Sequence, residues 1–205
     1  MTIHSCFSTI TLVCGGSFLL LSPLASGQPV YDATYTGENS LPYTVETVSG
    51  RIAVQYGTDA GITRSLVEAA VRYENQTGVP AAVVVAIALH ESGLKSPLFR
   101  DSGNPFGIKA SNPWAGPTYT MYHDGEETRF RAYLTADEAV TDFGNFVRSR
   151  RWYADALTCP AHDYACVVDG LKKTDHEAGY SMDPAWDEAV LAVIEKAGLR
   201  ELAGR

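Results

Sequence analysis

The sequence predicts an α+β fold, a mainly helical core carrying a small β-hairpin lobe, on three observations. Pro80 to Gly93 is a helix-length run in which Ala81 to Leu89 carry no polar side chain. Amphipathic stretches at helical spacing stand before and after it. Between them, Thr118-Tyr-Thr-Met-Tyr122 and Thr128-Arg-Phe-Arg-Ala-Tyr133 alternate around His123-Asp-Gly-Glu126, a hairpin turn with Asp124-Gly125 at its tip. With 205 residues, of which 45% are hydrophobic and 10% aromatic, the chain can bury one proper core.

Residues 1–27 contain no Asp, Glu, Lys or Arg. Their apolar centre around Phe18 to Leu21, then Pro23 and the small residues Ala25-Ser26-Gly27, predict a signal peptide cleaved after Gly27. The only positive charge ahead of that centre is the amino terminus, so an uncleaved anchor is the alternative. Residues 28–58 are rich in Gly, Pro, Thr, Tyr and Ser and are expected to form an extended linker over the domain surface. The globular domain is expected to occupy residues 59–205.

Asp59 precedes Ile62, Leu66, Ala69, Ala70 and Tyr73, which predicts an amphipathic helix from about Ala60 to Gln76 packed on the central one. Thr77-Gly-Val-Pro80 forms the turn. Pro80 suits a first helical position and Gly93 a stop. Nine residues apolar on every side mark a helix surrounded by protein and are too few to span a bilayer.

Glu91 is the anomaly of this helix. It lies in the last turn, where the helix dipole disfavours a carboxylate, and its neighbours one turn back are Ala88 and Ile87. An apolar pocket around it would raise its pKa, as a general acid working near neutral pH requires. The plain alternative is a carboxylate pointing to solvent past the helix end. His90 beside it is expected to be structural.

From Lys95 to Tyr133 no long apolar period exists, so the hairpin lobe is expected to face the end of the central helix. Thr135-Ala-Asp-Glu138 is a capping box for a helix with the stripe Ala139, Phe143, Phe146 and Val147. Further helices are expected from about Asp163 to Lys173, and from Asp183-Pro184, a cap followed by proline, to Gly198.

A net charge of −8 and a pI near 5.0 argue against a nucleic-acid partner, and Arg148-Ser-Arg150-Arg151 and Lys172-Lys173 are too short to supply a basic patch. Loss of the leader would remove Cys6 and Cys14 and leave Cys159 and Cys166. In an oxidising compartment these two favour a structural disulfide. His162 alone nearby does not complete a metal site.

The motifs Pro80-Ala-Ala-Val-Val-Val-Ala-Ile-Ala-Leu-His-Glu91-Ser-Gly, Asn104-Pro-Phe-Gly-Ile-Lys-Ala110, Trp114-Ala-Gly116, Phe130-Arg-Ala-Tyr133 and Gly179-Tyr-Ser-Met-Asp-Pro184 follow one another in order. Together they resemble glycoside hydrolase family 73, the peptidoglycan N-acetylglucosaminidases, over about Asp59 to Gly198. The resemblance implies a lysozyme-like fold, with a cleft between helical core and β-lobe. It also implies cleavage of the β-1,4 bond after N-acetylglucosamine in peptidoglycan strands, with no metal or other cofactor. Glu91 falls on the family's catalytic glutamate, which would protonate the leaving oxygen. Tyr180 matches a tyrosine near that glutamate, with a packed aromatic as the alternative.

Asn104, Lys109 and Trp114 are candidate sugar contacts, while Phe106, Gly107, Phe130 and Tyr133 are read as structure. Asp183 has its own explanation as a helix cap, with a role at the substrate as the alternative. One position departs from the family pattern: Met121 stands where several relatives carry a second glutamate. Glu127, ahead of Asp124 and Glu126, is the first substitute as base, and the substrate's 2-acetamido group is another. A lytic transglycosylase and a noncatalytic peptidoglycan-binding or assembly module remain alternatives to the hydrolase.

Overall fold

A computed structural model of the chain describes residues 40–111, 113–123, 125–160, 162–172 and 179–203. The expected signal peptide, its cleavage point and the first part of the expected linker lie outside these residues.

Helix α1 (Ser40–Tyr56) overturns the extended linker where the two overlap. Val45, Val48 and Ile52 recur at helical spacing and are buried, 6%, 0% and 0% exposed, against α2 (Ala60–Thr77) and the C-terminal helix. Thr44, Thr47, Ser49 and Gly50, all weak helix formers, hide that period in the sequence. Burial of one face stabilises a helix that propensity alone would not.

Asp59 caps α2, its Oδ1 accepting from the Ile62 N–H at 2.9 Å. Helix α3 (Ala81–Ser92) is the axis of the molecule, with every residue from Ala81 to Leu89 buried. Pro80 is its extended N-cap rather than its first helical residue, and Gly93 closes it at φ +56°. Its partners are α2, α7 (Tyr164–Leu171), α8 (Trp186–Ala197) and a closing 3₁₀ turn, Leu199–Leu202. A helix with neighbours on every side needs no polar face, which is why its sequence shows none.

After α3, a short helix not anticipated from the sequence, α4 (Pro97–Ser102), starts at Ser96, whose Oγ accepts from the Phe99 N–H, with Pro97 in the first turn. The hairpin follows: β1 (Thr118–His123) pairs antiparallel with β2 (Glu126–Arg131), Thr118 opposite Arg131 and His123 opposite Glu126. Helix α5 (Ala136–Arg148) packs on α2 and begins with the expected Thr135 cap. The reciprocal contact is displaced by one residue, because Glu138 Oε2 accepts from Leu134 N–H at 2.8 Å. Where α2 and α5 meet, a Cβ on Gly144 would stand 1.9 Å from the Tyr73 hydroxyl, so only glycine admits the approach.

A 3₁₀ turn at Arg151–Tyr153 leads into α6 (Ala154–Thr158), and a Cys159–Cys166 disulfide ties the end of α6 to α7. Asp163 caps α7 by accepting from the Cys166 N–H. The last helix starts later than expected: Asp183 accepts from the Ala185 N–H at 2.9 Å, closing a turn ahead of Trp186.

Candidate active site

Glu91 is carried out of the core by the last turn of α3. Leu89 is 3% exposed, whereas Glu91, two residues on, is exposed to solvent. The apolar pocket expected to enclose this carboxylate is therefore not present, because α3 runs past the helices that sheathe it. Its orientation is set by one directed contact: Trp186 Nε1 donates to Glu91 Oε1 at 2.8 Å, across 95 residues of sequence. The indole, 1% exposed at the first position of α8, is a rigid donor fixed by the core.

Tyr180 joins this pair. Its ring packs against Trp186 at 5.3 Å between centroids and edge-on to Phe143 at 5.8 Å, and its hydroxyl donates to the Phe106 carbonyl at 2.7 Å. Burial, then the negative charge of Glu91, pushes the phenol well above its usual range. Tyr180 therefore remains a protonated phenol.

Glu91 and Tyr180 line one open groove of about 560 Å³, together with Lys109, Phe146, Arg150 and Trp152. The groove runs between the end of α3 and the loop that feeds the hairpin, where Lys109 bridges to Phe130. A concavity of about 670 Å³, between α2 and the start of α5, includes neither Glu91 nor Tyr180. Its size does not outweigh the absence of this chemistry.

Other candidates have different places. Asn104 is 0% exposed, and its amide is spent on the backbone: Nδ2 donates to the carbonyls of Ile108 and Arg131, and Oδ1 accepts from the N–H groups of Phe106 and Ile108. It is a clip that shapes the loop, not a sugar contact. Trp114 donates Nε1–H to the Pro117 carbonyl, lies 4.5 Å from the Arg131 guanidinium and meets Tyr133 edge-on. These contacts make it part of the lobe's packing, and it is not among the residues lining the groove.

Asp183 is exposed and occupied with its turn. Glu127 is exposed on β2 opposite Tyr122, and Met121 stands opposite Thr128. Neither Glu127 nor Asp183 lines the groove. Phe106, 2% exposed and stacked on Phe143 at 4.4 Å, is structural as expected. Sequence reasoning missed Trp186, Phe146, Arg150 and Trp152. Only Trp186 had a signal, its position just past the Gly179 to Pro184 motif.

The family model described as mannosyl-glycoprotein endo-beta-N-acetylglucosaminidase matches residues 67–199, a span running from α2 to the closing 3₁₀ turn. The chain belongs to this glucosaminidase family. The peptidoglycan hydrolase FlgJ of Escherichia coli K12 is 32% identical over 135 residues, covering 59% of this chain and 41% of that protein. The FlgJ of Vibrio cholerae is 30% identical over 128 residues, covering 57% and 37%. The chain thus matches about two fifths of the length of these curated relatives.

Among solved structures, the peptidoglycan hydrolase from Sphingomonas sp. A1 superposes with a TM-score of 0.57 at 29% identity, over 67% of this chain and 88% of that one. The catalytic domain of the Listeria monocytogenes autolysin Auto gives 0.55 at 18% identity, over 85% and 99%, a likeness of fold alone. The glucosaminidase fold is the lysozyme-like arrangement the sequence motifs implied, with a buried axial helix and a two-stranded lobe.

Proposed function

We propose that the protein is an endo-β-N-acetylglucosaminidase acting on peptidoglycan, with Glu91 as general acid. The observation that carries this is Glu91 at the mouth of α3, held by the Trp186 indole in an open groove shared with Tyr180. Family membership and the peptidoglycan hydrolases among its relatives supply the substrate class.

In the proposed reaction a glycan strand lies along the groove and Glu91 protonates the leaving glycosidic oxygen. The Trp186 N–H leaves the other carboxylate oxygen free to face the substrate. Tyr180 stays neutral, its hydroxyl held on the Phe106 carbonyl, and its role in this reading is to shape the wall of the groove beside Glu91. For the second group we favour the substrate's own 2-acetamido oxygen as nucleophile over Glu127, since Glu127 lies on the hairpin outside the groove lining. The uncharged leader and the disulfide fit an exported protein working at the cell wall. Among the described residues no helix is long and apolar enough to cross a membrane.

Muropeptide release from purified sacculi tests the assignment. Glu91→Gln is expected to lower the rate by at least about a thousandfold with an unchanged melting temperature. Glu127→Gln is expected to stay within a few fold of wild type. Reducing N-acetylglucosamine ends in the products support the hydrolase, whereas anhydromuramyl ends identify a transglycosylase. Sacculus binding without soluble products identifies a binding module.

A further inference from the structure

The groove contains two cations that the proposed cleavage does not use. Arg150 lies at the junction of α5 and the 3₁₀ turn, with its guanidinium carbon 3.5 Å from the Phe146 ring centre and its Nη1 donating to the Phe146 carbonyl at 2.9 Å. These contacts fix the plane of the fork and leave its Nε and Nη2 donors without a partner among the described residues. The carboxylate whose charge acts on it, Asp142, is already engaged. Asp142 receives both bonds from Arg131 Nη1, at 2.7 and 2.9 Å, and a third from the Tyr133 hydroxyl at 2.6 Å.

Burial and the neighbouring Arg131 charge hold the Arg150 guanidinium below its usual range, so an anion placed there relieves an existing electrostatic cost. Lys109, exposed on the same groove, has no ion-pair partner among the described residues. Unpaired cations gathered in the groove of a chain with net charge −8 mark a place for a negative ligand.

We infer that Arg150, assisted by Lys109, forms a carboxylate-binding site in the groove beside Glu91 that selects glycan strands bearing acidic side arms over neutral ones. This rests on the peptidoglycan reading above, and it makes Arg150 a specificity-determining residue. A planar guanidinium suits a carboxylate, which it can grip through two parallel N–H bonds. Peptidoglycan offers this group in two forms, the lactyl carboxylate of peptide-stripped muramic acid and the carboxylates of the peptide stem. Chitin-like N-acetylglucosamine polymers offer neither.

Binding decides the matter independently of turnover. Glu91→Gln protein is titrated with peptide-stripped strands and with stem-bearing strands, each in native form and with its carboxylates converted to neutral methylamides. At low salt the native form is expected to bind about tenfold more tightly than its methylamide. That ratio should fall to about one when Arg150→Gln is added, recover in part with Arg150→Lys, and shrink with Lys109→Gln. Affinity for the methylamides should be the same in all of them.

An advantage seen with stripped strands assigns the lactyl carboxylate, and one confined to stem-bearing strands assigns the stem. Equal binding of native and methylamide forms in both preparations overturns the inference. So does an Arg150→Gln that weakens both forms alike, because that is the effect of a structural role. Exposed Lys109 can be replaced without disturbing the core, so Lys109→Gln carries the test if Arg150→Gln does not fold; an unchanged ratio there overturns the inference. If wild-type protein releases no product from sacculi, the proposed catalysis fails while the binding comparison still reads out.

Discussion

At the scale of single residues, similar signals in the sequence have opposite fates in the fold. Asn104 and Glu91 are both polar groups that the sequence singles out as candidates, yet one is sealed in the lobe and the other is open to the groove. Asn104 replaced by alanine loses four backbone contacts: the Ile108 carbonyl keeps the Arg131 N–H, but the buried Phe106 and Ile108 N–H groups lose their side-chain acceptor. The expected cost is about 3 kcal/mol, read as a lower urea midpoint, and the KM of the folded fraction should barely move.

Glu74 offers a second test at this scale. Its carboxylate accepts from the Ala81 N–H at 3.0 Å at the start of α3, and its side chain is only 12% exposed. Burial raises its pKa, opposed by the Ala81 bond and by His162. A carboxyl raised in the folded state contributes stability that is complete below its unfolded pKa and is lost as pH rises through the folded value. Glu74→Gln keeps an acceptor for Ala81 and removes the titration. Its stability relative to wild type is therefore expected to improve as pH is raised from about 4 to 7, by denaturant midpoints at each pH. A constant difference across that range would show that Glu74 is not desolvated in solution.

At the scale of elements, the long helices with a clear apolar pattern were readable, whereas α1, whose period is hidden by weak helix formers, and the six-residue α4 were not, the latter despite its own Ser96 cap. Thr135 caps α5 where the sequence set a capping box, and Asp59 and Asp163, from which the α2 and α7 stretches were read, also cap them, whereas Asp183, read as a cap, closes a turn ahead of α8. Helix α1 lacks that punctuation and owes its existence to the face it buries. Ile52→Ala is therefore expected to destabilise the whole domain by about 2–4 kcal/mol, in a single cooperative transition shared with α3. Loss of α1 helicity alone, with the main transition unmoved, would show that α1 is an appendage. The hairpin is attached differently, through the Arg131–Asp142–Tyr133 cluster that joins β2 to α5. Two strands alone are marginal in water, and this buried polar cluster supplies an anchor.

At the scale of the molecule, the Cys159–Cys166 bridge closes a short loop that joins α6 to α7, one of the helices around α3. Opening it, by reductant or by replacing both cysteines with serine, is expected to cost roughly 2–3 kcal/mol, seen as a lower melting temperature with the same cooperative unfolding. An unchanged melting temperature would mean that the helices hold that loop closed without the bond. The groove draws its walls from α3, the Asn104 to Ser111 loop, the end of α5 with the following 3₁₀ turn, and Tyr180. No single stretch of chain contains the site.

The sequence by itself determined the axial helix, the hairpin, the Thr135 cap, the family and the position of Glu91. These are properties of local pattern, written in adjacent residues as apolar periodicity, capping side chains and turn glycines. The tertiary structure alone decided that Glu91 stands open to solvent and is held by Trp186, that Asn104 and Trp114 serve the lobe, and that Arg150 faces the groove. Each of these depends on which distant side chain occupies the neighbouring space, and burial and hydrogen-bond pairing across as many as 95 residues leave no periodic trace in the chain.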